Sequence, residues 1–159
     1  MFKSILGRLF WTYAIILMLV FTSVAVTVGI FVNHFAISTH MNNVISVSQN
    51  LEYWTGSLQI EDTDYRARAA YKQLLRSWGS FLNSDIIVTN SNGEVLESTT
   101  SSATVPDELV HIVTNGNIVK KYSTLNGSYK NKMMVIGVPI KYQGGIVGAS
   151  FYVTGIFDI

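Results

Sequence analysis

The side chains able to move a proton or hold a metal near neutral pH are few in this sequence, and their spacing supports neither role. Histidine is the first such residue type, and the chain has His34, His40 and His111. No His-Glu-x-x-His pair occurs, so a helical zinc site of that kind has no ligands. His34 and His40 read as interfacial polar residues, and His111 as a surface or capping residue. No Gly-x-Ser-x-Gly elbow is present, and no two carboxylates are set out for acid–base hydrolysis. Cysteine is absent, which excludes disulfides, thiol nucleophiles and thiolate metal sites. Arg68, Lys72 and Arg76 recur at four-residue spacing. Such a row can hold an anionic ligand or lipid headgroups, and a solvated helix face is the favoured reading. Gly144-Gly145 lies between strand segments and reads as a hairpin turn rather than a phosphate cradle. Asn126-Gly127-Ser128 matches the glycan acceptor pattern. No catalytic residue, metal site or cofactor is expected, which leaves a binding role to weigh.

Charge narrows the partners. The formal net charge is +1. Setting aside Lys3 and Arg8 leaves nine basic residues against ten acidic ones. Nucleic-acid binding wants a concentrated basic face and is not expected.

The elements that must position any binding site begin with Leu9 to Val32. This run has 24 residues and no charge. As a helix rising about 1.5 Å per residue it is long enough to cross a hydrocarbon layer roughly 30 Å thick. The apolar region of a cleaved signal peptide spans only about 7–15 residues, and Val24-Ala25-Val26 is a poor cleavage context. A soluble core helix rarely stays apolar on every face for this length. A membrane anchor is favoured, with Thr12, Thr22, Ser23 and Thr27 bonding back to helix carbonyls and Trp11 and Tyr13 at the interface. Lys3 and Arg8 precede the run, and no basic residue lies near its other end. Residues 1–8 are therefore expected in the cytoplasm, 9–32 in the membrane and 33–159 outside. Residues 36–159 are enough for one domain with its own core.

Residues 33–82 read as helical. From Asn33 to Leu58 no proline intervenes, and no glycine before Gly56. Ile37, Met41, Val44, Ser48, Leu51, Thr55 and Leu58 alternate spacings of four and three, widened by Val47 and Trp54. That stripe either pairs with its copy in a dimer or packs onto its own domain. A break follows at Ile60 to Thr63, where Glu61, Asp62 and Asp64 suit a helix start. A second helix is expected over Asp64 to Leu82. Its apolar face would hold Tyr71, Leu74, Leu75, Trp78, Phe81 and Leu82, with an Asp64–Arg68 pair on another face.

Residues 85–153 read as a sheet. Ile86 to Thr89 and Glu94 to Ser98 flank Asn90-Ser91-Asn92-Gly93, a hairpin with turn chemistry at its tip. Pro106 to Thr114 is a short helix with Asp107 and Glu108 in its first turn and Gly116 beyond its end. Three strands close the pattern: Ile118 to Thr124, Met133 to Tyr142 and Ile146 to Val153. Gly137 and Gly148 inside strands mark a bulge or the close approach of another group. Short turns imply antiparallel neighbours. The fold class is α+β, with a five-stranded antiparallel sheet backed by the N-terminal helices.

Ile86 to Val95, Gly137-Val138-Pro139-Ile140 and Gly145 to Ala149 resemble the extracytoplasmic PAS-like (Cache) sensor domain of bacterial two-component sensor histidine kinases. That family often has Asp where this chain has Asn90. The resemblance implies a sensing input module of a membrane histidine kinase, acting in phosphorelay signalling as a homodimer. A chemotaxis receptor or a cyclic-dinucleotide enzyme can carry the same sensor, and a complete signal-anchored surface binding protein is the reading from another class. A second membrane helix is expected beyond Ile159, followed by the kinase boxes and a cognate response regulator as partner; the chain itself carries no kinase residues. The resemblance also implies a concave sheet face able to enclose a small molecule or peptide. Its candidate contacts are Tyr71, Arg76, Lys121, Tyr122, Tyr142 and Tyr152.

Overall fold

The computed structural model describes residues 5–60, 65–101 and 103–155. The acidic residues Glu61, Asp62 and Asp64 lie outside the described residues, as do the side chains of His34, Ile37, His40 and Leu58. In chain order the elements are α1 (Ile5–Ile60), α2 (Tyr65–Leu82), β1 (Asp85–Asn90), β2 (Val95–Ser98), α3 (Asp107–Thr114), β3 (Val119–Ser123), β4 (Met133–Tyr142) and β5 (Gly145–Thr154). The chain divides into two compact units, 1–39 and 40–159, and α1 contributes to both.

The first unit is the apolar part of α1. Gly7–Val32 is long and apolar enough to cross a membrane. Its large side chains stand exposed, Phe10 by 72% and Met18 by 74%. The hydroxyls of Thr12, Thr22 and Thr27 donate to the carbonyls of Arg8, Met18 and Ser23, each at 2.8–2.9 Å. These three hydroxyls are thus satisfied within the helix itself.

The second unit is built on a five-stranded antiparallel sheet in the order β2-β1-β5-β4-β3. Alternate residues of a strand face opposite sides, and here both sides are covered. One face carries Ile86, Val88, Met134, Ile136, Val138, Ile140 and Tyr152. It is packed by Val44, Val47 and Leu51 of α1 and by Tyr71, Leu75 and Leu82 of α2. The other face carries Ile87, Val135, Ala149, Phe151 and Val153, packed by Leu109, Val110 and Val113 of α3 and by Leu125. Double coverage explains why β4 and β5 read as nearly continuous apolar runs rather than alternating ones.

The α1 stripe serves the domain's own core where its side chains are described. Val44, Ser48, Leu51 and Thr55 are each at most 2% exposed, while Trp54 is 42% exposed. On α2, Phe81 departs from its expected face and stands 71% exposed. Gly79 is buried on the contact face instead, and an added Cβ there would lie 2.9 Å from the Ser84 carbonyl oxygen of the α2–β1 turn. The face in contact is therefore centred on Tyr71, Leu75, Gly79 and Leu82, all buried.

The turns follow their sequence chemistry. Asn90 Oδ1 accepts from the N–H groups of Asn92 and Glu94, and its Nδ2 donates to Glu94 Oε2 at 2.7 Å. Gly93 then closes the loop at φ 88°. Between β4 and β5 the turn residues are Gln143 and Gly144, both at positive φ, as the right-handed twist of a two-residue hairpin requires. Gly145 is already the first residue of β5. Pro106 precedes α3 as its N-cap, and Gly116 at φ 91° follows its end.

Candidate functional site

Two of the six candidate contacts meet in a buried layer of hydroxyl groups under α1 and α2. Thr55, two turns along α1 from Ser48, is bonded to the Tyr71 hydroxyl at 2.6 Å. Ser48 Oγ lies 3.5 Å from Ser150 Oγ, which donates to the Val138 carbonyl at 3.3 Å. Tyr152 projects from the central strand into the same layer and is fully buried. Its hydroxyl has no hydrogen-bond partner among the described residues. Burial raises the Tyr71 hydroxyl to about 12; the Thr55 bond offsets part of this and the Glu97 charge adds to it. Burial also pushes the Tyr152 hydroxyl up; the Ser150 and Ser48 hydroxyls offset part of this, but neither has the geometry of a hydrogen bond to it. Both phenols are held neutral by a shortage of solvent, and nothing here activates them as bases.

This layer makes a prediction of opposite signs. Tyr71→Phe strands the buried Thr55 hydroxyl and is expected to cost about 1–2 kcal/mol, whereas Tyr152→Phe deletes an unpaired donor and is expected to stabilise by about 1 kcal/mol. Urea unfolding of the two variants beside the parent reads this directly. A loss of similar size in both would mean that the Tyr152 hydroxyl is satisfied in solution.

Arg76 stands elsewhere, on the exposed face of α2. It borders two adjoining clefts of about 370 Å³ each. One is lined by Lys72, Arg76, Val95, Ser98, Thr99, Thr100, Ser101 and Ala103. The other runs past Gly79, Ser80, Asn83, Ser84 and Asp85.

The remaining candidates do not join either place. Lys121 on β3 is paired with Glu108 of α3 at 3.0 Å. Tyr122 is 49% exposed on the same edge strand. Tyr142 packs its ring on Gly56 of α1, where any added Cβ would collide with it. The six residues thus fall in separate places rather than around one pocket.

Sequence reasoning passed over a further polar group at the start of β1. Tyr129 donates to Asp85 Oδ2 at 2.7 Å. Thr99 Oγ1 lies 3.5 Å from Asp85 Oδ1 and accepts from the Ile86 N–H at 2.8 Å. Burial, with the Asp85 hydrogen bond and charge, raises the Tyr129 hydroxyl. The network ties β1 to the segment after β2 and to the β3–β4 connection. Its members lie 14 and 44 residues apart, and no short motif links them.

No family model matches the sequence, and no curated protein matches it. Solved structures do match. The sensor domain of the V. cholerae histidine kinase DctB superposes with a TM-score of 0.53 at 11% identity, over 76% of this chain and 52% of that one. The ligand-binding domain of the Campylobacter jejuni chemoreceptor Tlp3 matches in its complex with L-norvaline at a TM-score of 0.46 and 17% identity, over 74% of this chain and 53% of that one. Its complex with 4-methylisoleucine gives 0.45 and 15%, over 74% and 55%. The chain spans about half the length of these domains. With its helices on one face, a short helix on the other and β5 at the centre, the chain has the fold of extracytoplasmic PAS-like (Cache) sensor domains.

Proposed function

We propose that the chain is the signal-sensing input module of a membrane receptor, and that the receptor is a sensor histidine kinase. One observation carries the reading. A helix with a membrane-length apolar stretch, Gly7–Val32, supplies Val44, Val47 and Leu51 to the core of a sensor-type sheet domain. The histidine-kinase output follows the resemblance carried by Ile86 to Val95, Gly137 to Ile140 and Gly145 to Ala149. In this reading Lys3 and Arg8 hold the N-terminus in the cytoplasm and the sheet domain lies outside. A small molecule or peptide outside favours one of two packings of α1 on the sheet. It shifts the balance only by its difference in affinity for the two. The protein works as a homodimer, and the response regulator is met by the cytoplasmic part of the receptor.

The absence of cysteine makes the topology testable. Asn126→Cys, on an exposed turn, is expected to react with a membrane-impermeant maleimide on intact cells, and Ser4→Cys only after lysis. The reverse pattern sinks the orientation. Membranes holding the complete gene product are expected to take up acid-labile phosphate on histidine from ATP. Failure to do so, with the labelling as expected, moves the reading to a chemotaxis or cyclic-dinucleotide receptor.

A further inference from the structure

The four-residue row on α2 has a counterpart that only the tertiary structure brings to it. Lys72 and Arg76 face the segment leaving β2, where Ser98, Thr99, Thr100 and Ser101 form one wall of a cleft of about 370 Å³. Ligand pockets run roughly 300–1,000 Å³, so this one suits a small ligand. Its charges do not cancel. Lys72 is 3.7 Å from Glu97 Oε2, with half of its side chain exposed. No carboxylate pairs with Arg76 among the described residues. Two cations thus face one carboxylate, and Arg68 adds a third cation one turn away on α2.

The hydroxyl wall is only partly spent. Thr99 Oγ1 is engaged by the Ile86 N–H, and Ser98 Oγ accepts from the Thr100 N–H. The Ser98 proton remains to donate, as do the hydroxyls of Thr100 and Ser101. A guanidinium fork with no carboxylate partner among the described residues, an ammonium shared with Glu97 and the free hydroxyls of the wall leave donors in excess of acceptors, the pattern that recognises carboxylate or phosphate oxygens. Asp85 in the adjoining cleft repels an anion from that end and confines it beside Lys72.

We infer that the cleft between α2 and the end of β2 binds a small oxyanion, a carboxylate or a phosphate, held by Lys72 and Arg76 against the hydroxyls of residues 98–101. Binding stands without the sensory reading; only its use as a stimulus rests on that reading. Glu97 then acts as an internal competitor that sets the affinity by occupying Lys72.

The test uses the full chain in discs of neutral phosphatidylcholine, titrated calorimetrically with inorganic phosphate and with citrate. Saturable heat is expected with at least one of them. Arg76→Gln should weaken that binding at least tenfold, and Glu97→Gln should tighten it several-fold. Arg66→Gln, exposed on the same helix but off the row, should leave it unchanged. Discs carrying phosphatidylglycerol identify the source: a headgroup site loses its phosphate heat there, and a free-anion site keeps it. No saturable heat with either anion overturns the inference. So does a loss of equal size in Arg66→Gln and Arg76→Gln, or a weakening by Glu97→Gln. None of these results alters the labelling or phosphorylation outcomes above.

Discussion

Phe151→Ala is expected to lower stability by about 3–5 kcal/mol, among the largest losses a single truncation gives. Phe151 is fully buried on β5, the central strand, on the face covered by α3. Its neighbours across the sheet are Ile87 on β1 and Gly137 on β4. Gly137 offers no side chain, so the ring lies over it. An added Cβ at Gly137 would come within 2.8 Å of Phe151 Cε1 and 2.7 Å of Val113 Cγ2. Truncating the ring therefore opens a void that Gly137 cannot fill. The same geometry predicts coupling. Gly137→Ala alone should cost about 1–3 kcal/mol by crowding the ring and Val113. In the Phe151→Ala background the clash with the ring is gone and only the one with Val113 remains, so the cost should fall. A double-mutant cycle by urea unfolding should then give a coupling of about 0.5–3 kcal/mol. Additive losses would show that the ring does not occupy the space over Gly137.

Gly148→Ala is expected to be nearly as damaging, at about 3 kcal/mol, the upper end of overpacking costs. The reason is different. A Cβ at Gly148 would strike the Thr89 carbonyl oxygen of the neighbouring strand. A backbone oxygen cannot rotate aside as a side chain does. The collision falls where Thr89 pairs with Ala149 and Asn90 with Gly148, beside the register shift between Ile140 and Lys141. Relief requires the β1–β5 ladder to part at that end. Gly144→Ala is the comparison. Gly144 is at φ 84° with nothing within 4 Å of an added Cβ, so its cost is conformational, about 1 kcal/mol. Equal losses at the two sites would mean that Gly148 is needed for flexibility and not for space.

Much of this architecture was legible because local chemistry fixed it. Asn90 to Gly93 and Gln143-Gly144 need particular backbone angles, and few residues adopt them, so the two hairpins could be read directly. The close approaches at Gly137 and Gly148 were legible for a related reason: glycine inside a strand is costly unless space demands it. The helical stripe was legible as a face but not as a destination. Val44, Leu51 and Thr55 would look the same against a second copy as against β4 and β5. Phe81 was misplaced because helical spacing alone does not say that a small residue, Gly79, sets the contact line. The candidate site was legible least. Serine and threonine carry no periodic signal, so neither the Ser48–Ser150 contact nor the hydroxyl wall after β2 could be seen. Arg76 was marked as a contact, yet its cleft exists only once residues 98–101 are folded back beside α2.

The place of β5 in the sheet bears on how the domain is made. Synthesis delivers β1 and β2, then β3 and β4, and only last residues 145–154, which lie between the two pairs. Until those ten residues emerge from the ribosome, the nascent chain holds two hairpins with bare apolar flanks and no shared ladder. Contacts such as Ile87 with Phe151 span most of the domain's sequence, so loop closure comes before any reward. Assembly is then a single late event, with a growing chain kept pliable up to its final strand. A transcript broken ahead of Gly145 would yield no smaller domain, only material for quality-control proteases.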